Sequence, residues 1–448
     1  MTPGTLISIL LLLVPGIASI FYFRNIRMAT VAAAALDEIL SVLLFWIMPP
    51  QGFFFVDRTT DVFIFMITSI YLLSSIYSLR YISDRNATGL KQPTYYLLLN
   101  LFAVSMLFSA QINNYGLMWV GIEATTISSA LLIMTEKSEE SLEATWRYII
   151  IVSAGVTFAF ISIILIYYSF GTLTVSTILS AGRTNTLFVR VAVSIALIGF
   201  GTKVGVFPVH TWLPDAHSEA PSPVSAMFSG VLLPTALYVL YRIFQIDPIT
   251  SLFIWFGTIS IVAASLFLGY QARYKRMFAY STMENMNLAL IGIATMNPLG
   301  IVGALYLLIS HSFSKAGAFY SSGSVLRSTG TKDVANVKGI AKKMPITSAA
   351  LLMSSLGVSG TPPFGTFFGE ILILYSMVLV NAVPEFIIVV IFLVFAFVGI
   401  NLNVSRMIFG SPGDNSEPGR LMPAVSLVAS IVPLAIGAFF MVVNNAIL

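Results

Sequence analysis

Five ionisable side chains sit in runs that are otherwise apolar. They are Glu123 in GLMWVGIEATTISSALLI (116–133), Lys203 in GFGTKVGVFP (199–208), His311 and Lys315 in LLISHSFSKAGAFY (307–320), and Glu370 in GTPPFGTFFGEILIL (360–374). A charge at the centre of a hydrocarbon layer costs about 2.5–3.5 kcal/mol on insertion scales, so each such group needs a reason. Glu123 could snorkel or cap a helix, but its long apolar flanks count against that. Lys203 could anchor a helix end before Pro208, although Gly199, Gly201 and Gly205 suggest an irregular buried segment instead. Glu370 follows the GTPPFG interruption. Broken helices at membrane depth are tolerated only where they line a cavity or are buried in protein, and in transporters they mark ion sites. His311 and Lys315, four residues apart, share one helix face, a pairing suited to passing protons. Acids and bases thus alternate through several apolar runs, the pattern of a hydrated proton relay.

Other chemistries lack their residues. No tight cluster of His and carboxylates suggests a metal site, and no phosphate-cradling glycine loop is followed by Lys-Ser/Thr. With zero cysteines, the chain has no thiolate-held Fe–S cluster, disulfide or cysteine catalysis of its own. His210, His217 and His311 are its three histidines, and their spacing does not support a bis-His haem. Two further acidic features stay open. Glu284 opens a span beside Arg273, Lys275 and Arg276, and reads equally as a neutralised interfacial carboxylate or a functional one. Asp37-Glu38 in AALDEILSV (34–42) either faces a protein partner or marks a badly placed span.

The elements that position these groups follow from composition. Of 448 residues, 57% are hydrophobic and 9% charged, where a globular domain carries about 25% charged. Mean hydropathy is +0.91. Soluble enzymes, nucleic-acid binders and disordered scaffolds are excluded, and a net charge of +4 is no sign of nucleic acid. Runs of about 20 apolar residues predict fourteen membrane helices: 5–23, 28–48, 61–82, 93–112, 114–134, 147–169, 187–207, 222–243, 251–270, 277–297, 299–322, 345–381, 384–408 and 422–446. The first run lacks a basic leader and a small-residue cleavage site, so it is expected to remain as a helix. The twelfth run is too long for one span and breaks at 360–365.

Basic residues orient the chain. Connections after odd-numbered runs hold Arg24, Arg27, Arg80, Arg85, Lys91, Lys137, Arg147, Arg273, Lys275, Arg276, Arg327, Lys332, Lys338, Lys342, Lys343, Arg406 and Arg420. Connections after even-numbered runs hold only Arg58, Arg183, Arg190 and Arg242. This asymmetry predicts a multi-pass protein of the inner (plasma) membrane with both termini on the outer face.

The segment GTKVGVFPVHTWLPDAHSEAPSPVSA (201–226) resembles the most characteristic stretch of the antiporter-like subunits of respiratory complex I, Mrp-type cation/proton antiporters and energy-converting hydrogenases. WVGIEATTISSALLI (119–133), RYKRMFAYSTMENMNL (273–288), HSFSKAGAFYSSGSVL (311–326) and GTPPFGTFFGEILIL (360–374) match in the same order. The likeness covers essentially the whole chain. Within the superfamily, SLEATWRYIII (141–151), STMEN (281–285) and the KAGAFYSSGSVL run most resemble the F-type subunit of hydrogenase-4 and formate hydrogenlyase complexes.

The resemblance implies an all-α fold of about fourteen membrane helices in a single membrane domain (1–448). Peripheral helices 1–3 would occupy 1–92, a first five-helix repeat 93–243, a second of inverted topology 251–408, and helix 14 422–446, with spans 7 and 12 broken. It implies a coupled ion pair Glu123/Lys203, a central position for His311 and Lys315, a terminal position for Glu370, and a polar turn at His210, Asp215 and His217. One departure is LLPTALY (232–238): where many relatives carry a lysine, this chain has Pro234, so water or another residue must link the half-channels. With the fourteenth run close to residue 448, no long lateral helix is expected.

The expected function is proton or sodium translocation within a redox-driven complex, with no redox centre on this chain. Fe–S clusters, and Ni–Fe or flavin, would reside in partner subunits. Expected partners are other antiporter-like and small membrane subunits, a cytoplasmic-facing redox module and lipids, with no nucleic acid. Alternatives are an Mrp-type Na⁺/H⁺ antiporter subunit, a quinone-reducing subunit, against which the absent cysteines count, and a structural anchor, for which Pro234 is the hint.

Overall fold

The computed structural model describes residues 2–82, 89–136, 138–411 and 416–445; Arg85, Lys137 and the end of the 422–446 run lie outside them. In chain order the helices are α1 Pro3–Ala18, α2 Ile26–Leu44, α3 Arg58–Tyr81, α4 Gln92–Gln111, α5 Tyr115–Ile133, α6 Glu139–Phe170, α7 Val175–Ser180, α8 Leu187–Val204 and α9 Trp212–Glu219. There follow α10 Ser222–Met227, α11 Leu233–Phe244, α12 Thr250–Gly269, α13 Tyr274–Ala294, α14 Pro298–Thr329, α15 Pro345–Val358, α16 Gly365–Leu379, α17 Val383–Ile408 and α18 Leu421–Asn445. Among the described residues β pairing is confined to isolated bridges, Phe54 with Ile112 and Arg273 with Asp333.

All fourteen apolar runs carry helix, and among the described residues eleven helices are long and apolar enough to cross a membrane, with Ser222–Phe244 counted as one. Three runs fall outside the eleven: α2, which carries Asp37 and Glu38, α13, which carries Lys275, Arg276 and Glu284, and the twelfth, which is divided between α15 and α16. α15 and α16 are apolar but shorter. The architecture is that of an all-helical, multi-pass membrane protein.

The chain forms two compact units. One comprises Met1–Trp212, Glu219–Met227 and Val231–Leu252; the other comprises Leu213–Ser218, Phe228–Gly230 and Phe253–Leu448. In the first, α6 packs on α8, α4 on α5 and α2 on α3. In the second, α14 is the central pillar, packed by α13, α15, α16 and α18. Its 32 residues begin where Asn297 Oδ1 accepts from Leu299 N at 2.9 Å and end at Gly330, whose φ of 69° stops the helix.

Hydropathy windows misplace several helix ends. α6 starts at Glu139 rather than 147, because Ser138 Oγ accepts from Ser141 N at 3.1 Å and Glu139 and Glu140 suit the positive end of the helix dipole. Arg147, expected in a connection, is therefore helical and pairs with Glu143 at 2.5 Å on the exposed surface. α13 starts at Tyr274, which moves Glu284 from the mouth of its span to the middle of a helix, where it is buried. That corrects the interfacial reading of Glu284.

Arg242 needs the largest correction. Expected in an outer connection, it is buried in the last turn of α11. Its Nη2 donates to Asp57 Oδ1 at 2.5 Å and to Thr60 Oγ1 at 3.2 Å, and its guanidinium lies 5.0 Å and 4.8 Å from the ring centres of Phe55 and Tyr238. Asp57 also caps α3, accepting from Thr60 N at 2.9 Å. Partial burial works to raise the Asp57 carboxyl, but the Arg242 charge and hydrogen bonds from Arg242 and Thr60 outweigh it and hold the group below the usual carboxylate range.

Both expected helix breaks are present. α8 ends at Val204, with Gly205 at φ 91°, and the chain turns before α9. Between α15 and α16, Ser359–Phe364 is non-helical, with Gly360 at φ 63°. The freed backbone groups of this second break are taken up locally: Thr361 N donates to Leu356 O at 3.1 Å, Phe364 N to Thr361 O at 3.0 Å, and Thr366 Oγ1 to Gly357 O. A Cβ on Gly437 of α18 would come within 1.8 Å of the Pro363 carbonyl, so only glycine lets α18 pack on the break. The eighth run, expected as one regular helix, contains a π-helical turn at Phe228–Leu232 just before Pro234.

Gly437→Val should therefore destabilise the protein by about 1–3 kcal/mol by overpacking, read as a lowered Tm in detergent. An unchanged Tm would show that the break adapts. The Asp57 contribution is complete above the unfolded carboxyl value of about 4 and is lost as pH falls through the lower folded value. The stability difference between wild type and Asp57→Asn should accordingly shrink as unfolding is measured from pH 5 downward; a constant difference would count against the ion pair.

Candidate functional site

Lys203 is fully buried near the end of α8. A buried ammonium must place each N–H on an oxygen, and Lys203 finds all its acceptors on one turn of α5. Nζ donates to Ile122 O at 2.9 Å, Thr125 Oγ1 at 2.7 Å and Thr126 Oγ1 at 2.6 Å. The Thr126 hydroxyl in turn donates to Glu123 Oε2 at 3.5 Å. Glu123 is half-buried, and the Thr126 hydroxyl stands between it and Lys203. The resulting series runs from ammonium to hydroxyl to carboxylate.

The helices around this pair are tied to one another. Asn114 caps α5 by accepting from Leu117 N at 3.1 Å. Trp119 Nε1 donates to Val156 O of α6 at 2.8 Å, and Ser129 Oγ and Tyr148 Oη lie 2.7 Å apart. Past the break, Trp212 Nε1 donates to Thr202 O at 2.8 Å, holding the turn against α8 beside Lys203. His210, in this turn, is buried with its ring 5.6 Å from that of Phe207.

The second unit repeats the arrangement. Lys315 is fully buried on α14, and its Nζ donates to Phe278 O at 2.7 Å and to Ser281 Oγ, with the Phe278 ring centre 5.7 Å away. As in the first unit, the cradle is a helix carbonyl and the hydroxyl three residues later: Ile122/Thr125 there and Phe278/Ser281 here. In each case the hydroxyl also bonds its own carbonyl, at 2.6 Å and 3.1 Å. Glu284 lies one turn beyond Ser281 and interacts electrostatically with Glu370 and Lys315. His311 is fully buried one turn before Lys315 and interacts with Lys315 and His217.

The remaining residues divide. His217 is buried and stacks on Phe319, with ring centres 4.9 Å apart and planes at 9°. Asp215 is held by Arg276 at 3.1 Å, which makes it an ion-pair partner. Glu370 is half-buried and folds over Gly360, where a Cβ would lie 2.0 Å from its Oε2. Near Pro234, Ser312 Oγ donates to Gly230 O at 2.5 Å, meeting the carbonyl that a proline four residues later cannot. The hydroxyls Thr125, Thr126 and Ser281 escaped the sequence reading, because Ser and Thr are common in membrane helices and nothing in their spacing singles them out. Among the described residues no group of three His, Asp or Glu is placed to hold a metal ion.

The family model described as "NADH:quinone oxidoreductase/Mrp antiporter, TM" matches residues 112–398, a stretch that contains Glu123, Lys203, His311, Lys315 and Glu370. The chain belongs to this family. Hydrogenase-4 component F homolog from Methylacidiphilum infernorum (isolate V4) is 32% identical to it over 402 residues, 84% of this chain and 83% of that protein. A chain of the Mrp complex from Dietzia sp. DQ12-45-1b superposes with a TM-score of 0.87 at 19% identity, covering 98% of this chain and 96% of that one. A chain of respiratory complex I from Thermus thermophilus superposes with a TM-score of 0.84 at 21% identity, covering 96% of each. These two likenesses are of fold. Together with the family match, they make the protein an antiporter-like membrane subunit of the complex I, Mrp and hydrogenase type.

Thr126→Val should leave the Lys203 ammonium with a buried N–H unpaired, costing about 1–3 kcal/mol, whereas Thr126→Ser should remain near wild type. Unfolding measurements on the two variants in one detergent check this; equal stability would remove Thr126 from the site.

Proposed function

We propose that this antiporter-like subunit translocates protons, or sodium ions, across the plasma membrane as part of a redox-driven complex, through Glu123, Lys203, His311, Lys315 and Glu370. The observation that carries this reading is the Lys203 cradle. A fully buried ammonium is joined through one hydroxyl to a carboxylate, so a change of charge on either group alters the proton affinity of the other at low dielectric. The matching carbonyl–hydroxyl cradle around Lys315 supports two related half-channels. His210, His217 and Glu284 are accessory in this scheme, and Asp215 positions its turn through Arg276.

In the proposed arrangement the chain crosses the membrane fourteen times, with three peripheral helices over 1–92, inverted repeats over 93–243 and 251–408, and a final helix over 422–446. Both termini lie on the outer face. Its partners are other antiporter-like and small membrane subunits and a cytoplasmic-facing redox module, where Fe–S clusters and Ni–Fe or flavin carry the electrons. Redox chemistry there shifts charge at Glu123 and Lys203, and protons redistribute toward Glu370.

In vesicles reconstituted with the intact complex, Lys203→Ala and Glu123→Gln should each abolish pumping while partner redox activity is at least partly retained. Normal pumping in both variants would overturn the relay. Transport that requires Na⁺ and persists with a protonophore present would identify sodium as the ion.

A further inference from the structure

A cavity of about 710 Å³ opens in the second unit where α12 and α17 end. Its polar lining includes Lys338, Arg406, Asn336, Asn403, Gln271 and Asp333. Its wall is built by backbone pairing rather than by a loose loop: Val334 N donates to Ala272 O at 2.9 Å, Tyr274 N to Lys332 O at 3.2 Å, and Gly339 N to Phe409 O at 3.3 Å. Lys338 and Arg406 are both exposed, and among the described residues neither has an ion-pair or hydrogen-bond partner. Asp333 is the single acid of the lining, so the two cations leave a net positive charge.

The apolar surface leading to the cavity is equally specific. On α17 the exposed side chains Phe395, Val398 and Leu402 recur at helical spacing and run directly into Arg406 and then Phe409. On α12, Leu266 and Phe267 are exposed and Tyr270, just past the helix end, is 89% exposed, an aromatic of the kind enriched at membrane interfaces. The two helices touch here, since a Cβ on Gly399 would lie 2.7 Å from Leu268 Cδ2. An apolar track thus ends in a cationic, amide-lined pocket at the tip of two membrane-length helices.

We infer that this cavity binds the headgroup of an anionic phospholipid, whose acyl chains lie along the exposed faces of α12 and α17. Basic pockets between membrane helices take phosphate headgroups in this way. A free phosphate has use for Lys338 and Arg406 but none for the apolar track, which is why the occupant is a lipid. The site is remote in chemistry from the Glu/Lys/His relay and does not depend on it.

The test uses full-length protein stripped of lipid in a neutral detergent. It is titrated with dioleoylphosphatidylglycerol or dioleoylphosphatidylcholine, and bound lipid is counted by native mass spectrometry. The anionic lipid should be preferred by roughly 25-fold, and Lys338→Gln and Arg406→Gln should each lower that preference roughly fivefold. Asp333→Asn should raise it, a gain that a misfolded variant cannot show. Equal retention of the two lipids, an unchanged preference in both glutamine variants, or displacement of bound phosphatidylglycerol by inorganic phosphate would each overturn the site.

Discussion

An ammonium group taken out of water has three N–H bonds to satisfy, and the interior around Lys203 is organised by that demand. All its acceptors come from Ile122, Thr125 and Thr126, so α5 and α8 must keep one register and one separation. A helix backbone cannot ordinarily offer a carbonyl to a side chain beside it, because the carbonyl is already engaged four residues on. Carbonyl oxygens have two lone pairs, however, and a hydroxyl three residues later can share the second site with the lysine. That is the cradle at Ile122/Thr125, and it recurs at Phe278/Ser281 around Lys315. Two buried lysines on different helices are accommodated by the same local solution.

The breaks follow from the same constraint. An apolar helix has no place for a carboxylate, but a helix that ends frees both space and polar backbone. Glu370 sits where α15 has ended and α16 has just begun, folded over a glycine that has no side chain to displace it. The break survives at membrane depth because Thr361, Phe364 and Thr366 close its hydrogen bonds locally and because α18 meets it with Gly437. At Phe228–Leu232 the helix stays continuous with one wider turn, and Ser312 takes the carbonyl that Pro234 leaves open.

Much of this was legible residue by residue. The GTPPFG stretch marked the second break, the glycines around Lys203 marked the first, and the i, i+4 spacing of His311 and Lys315 placed both on one buried face of α14. Other readings failed for identifiable reasons. Hydropathy windows treat charged helix ends as loops, so they missed the first turns of α6 and α13 and misplaced Arg147 and Glu284. They also read Arg242 as a solvated connection, because its partner Asp57 lies on another helix far away in the chain. Of Asp37 and Glu38, left open by the sequence, Asp37 is buried, and the half-buried Glu38 accepts from Thr68 at 2.7 Å and Ser69 at 2.8 Å.

The amino-acid sequence alone determined the solvent class, the helical runs, the two interruptions and which few residues carry charge where charge is costly. These are local properties: hydropathy, the special backbone geometry of Gly and Pro, and the ionisation of single side chains. Only the tertiary structure decided the partners, namely which oxygens hold each lysine, that a hydroxyl stands between Lys203 and Glu123, that Asp215 is occupied by Arg276, and that Arg242 is buried on Asp57. The reason is physical. A buried charge is stabilised by groups that meet it across helices, and the chain order records the spacing along a helix but not the contacts between helices.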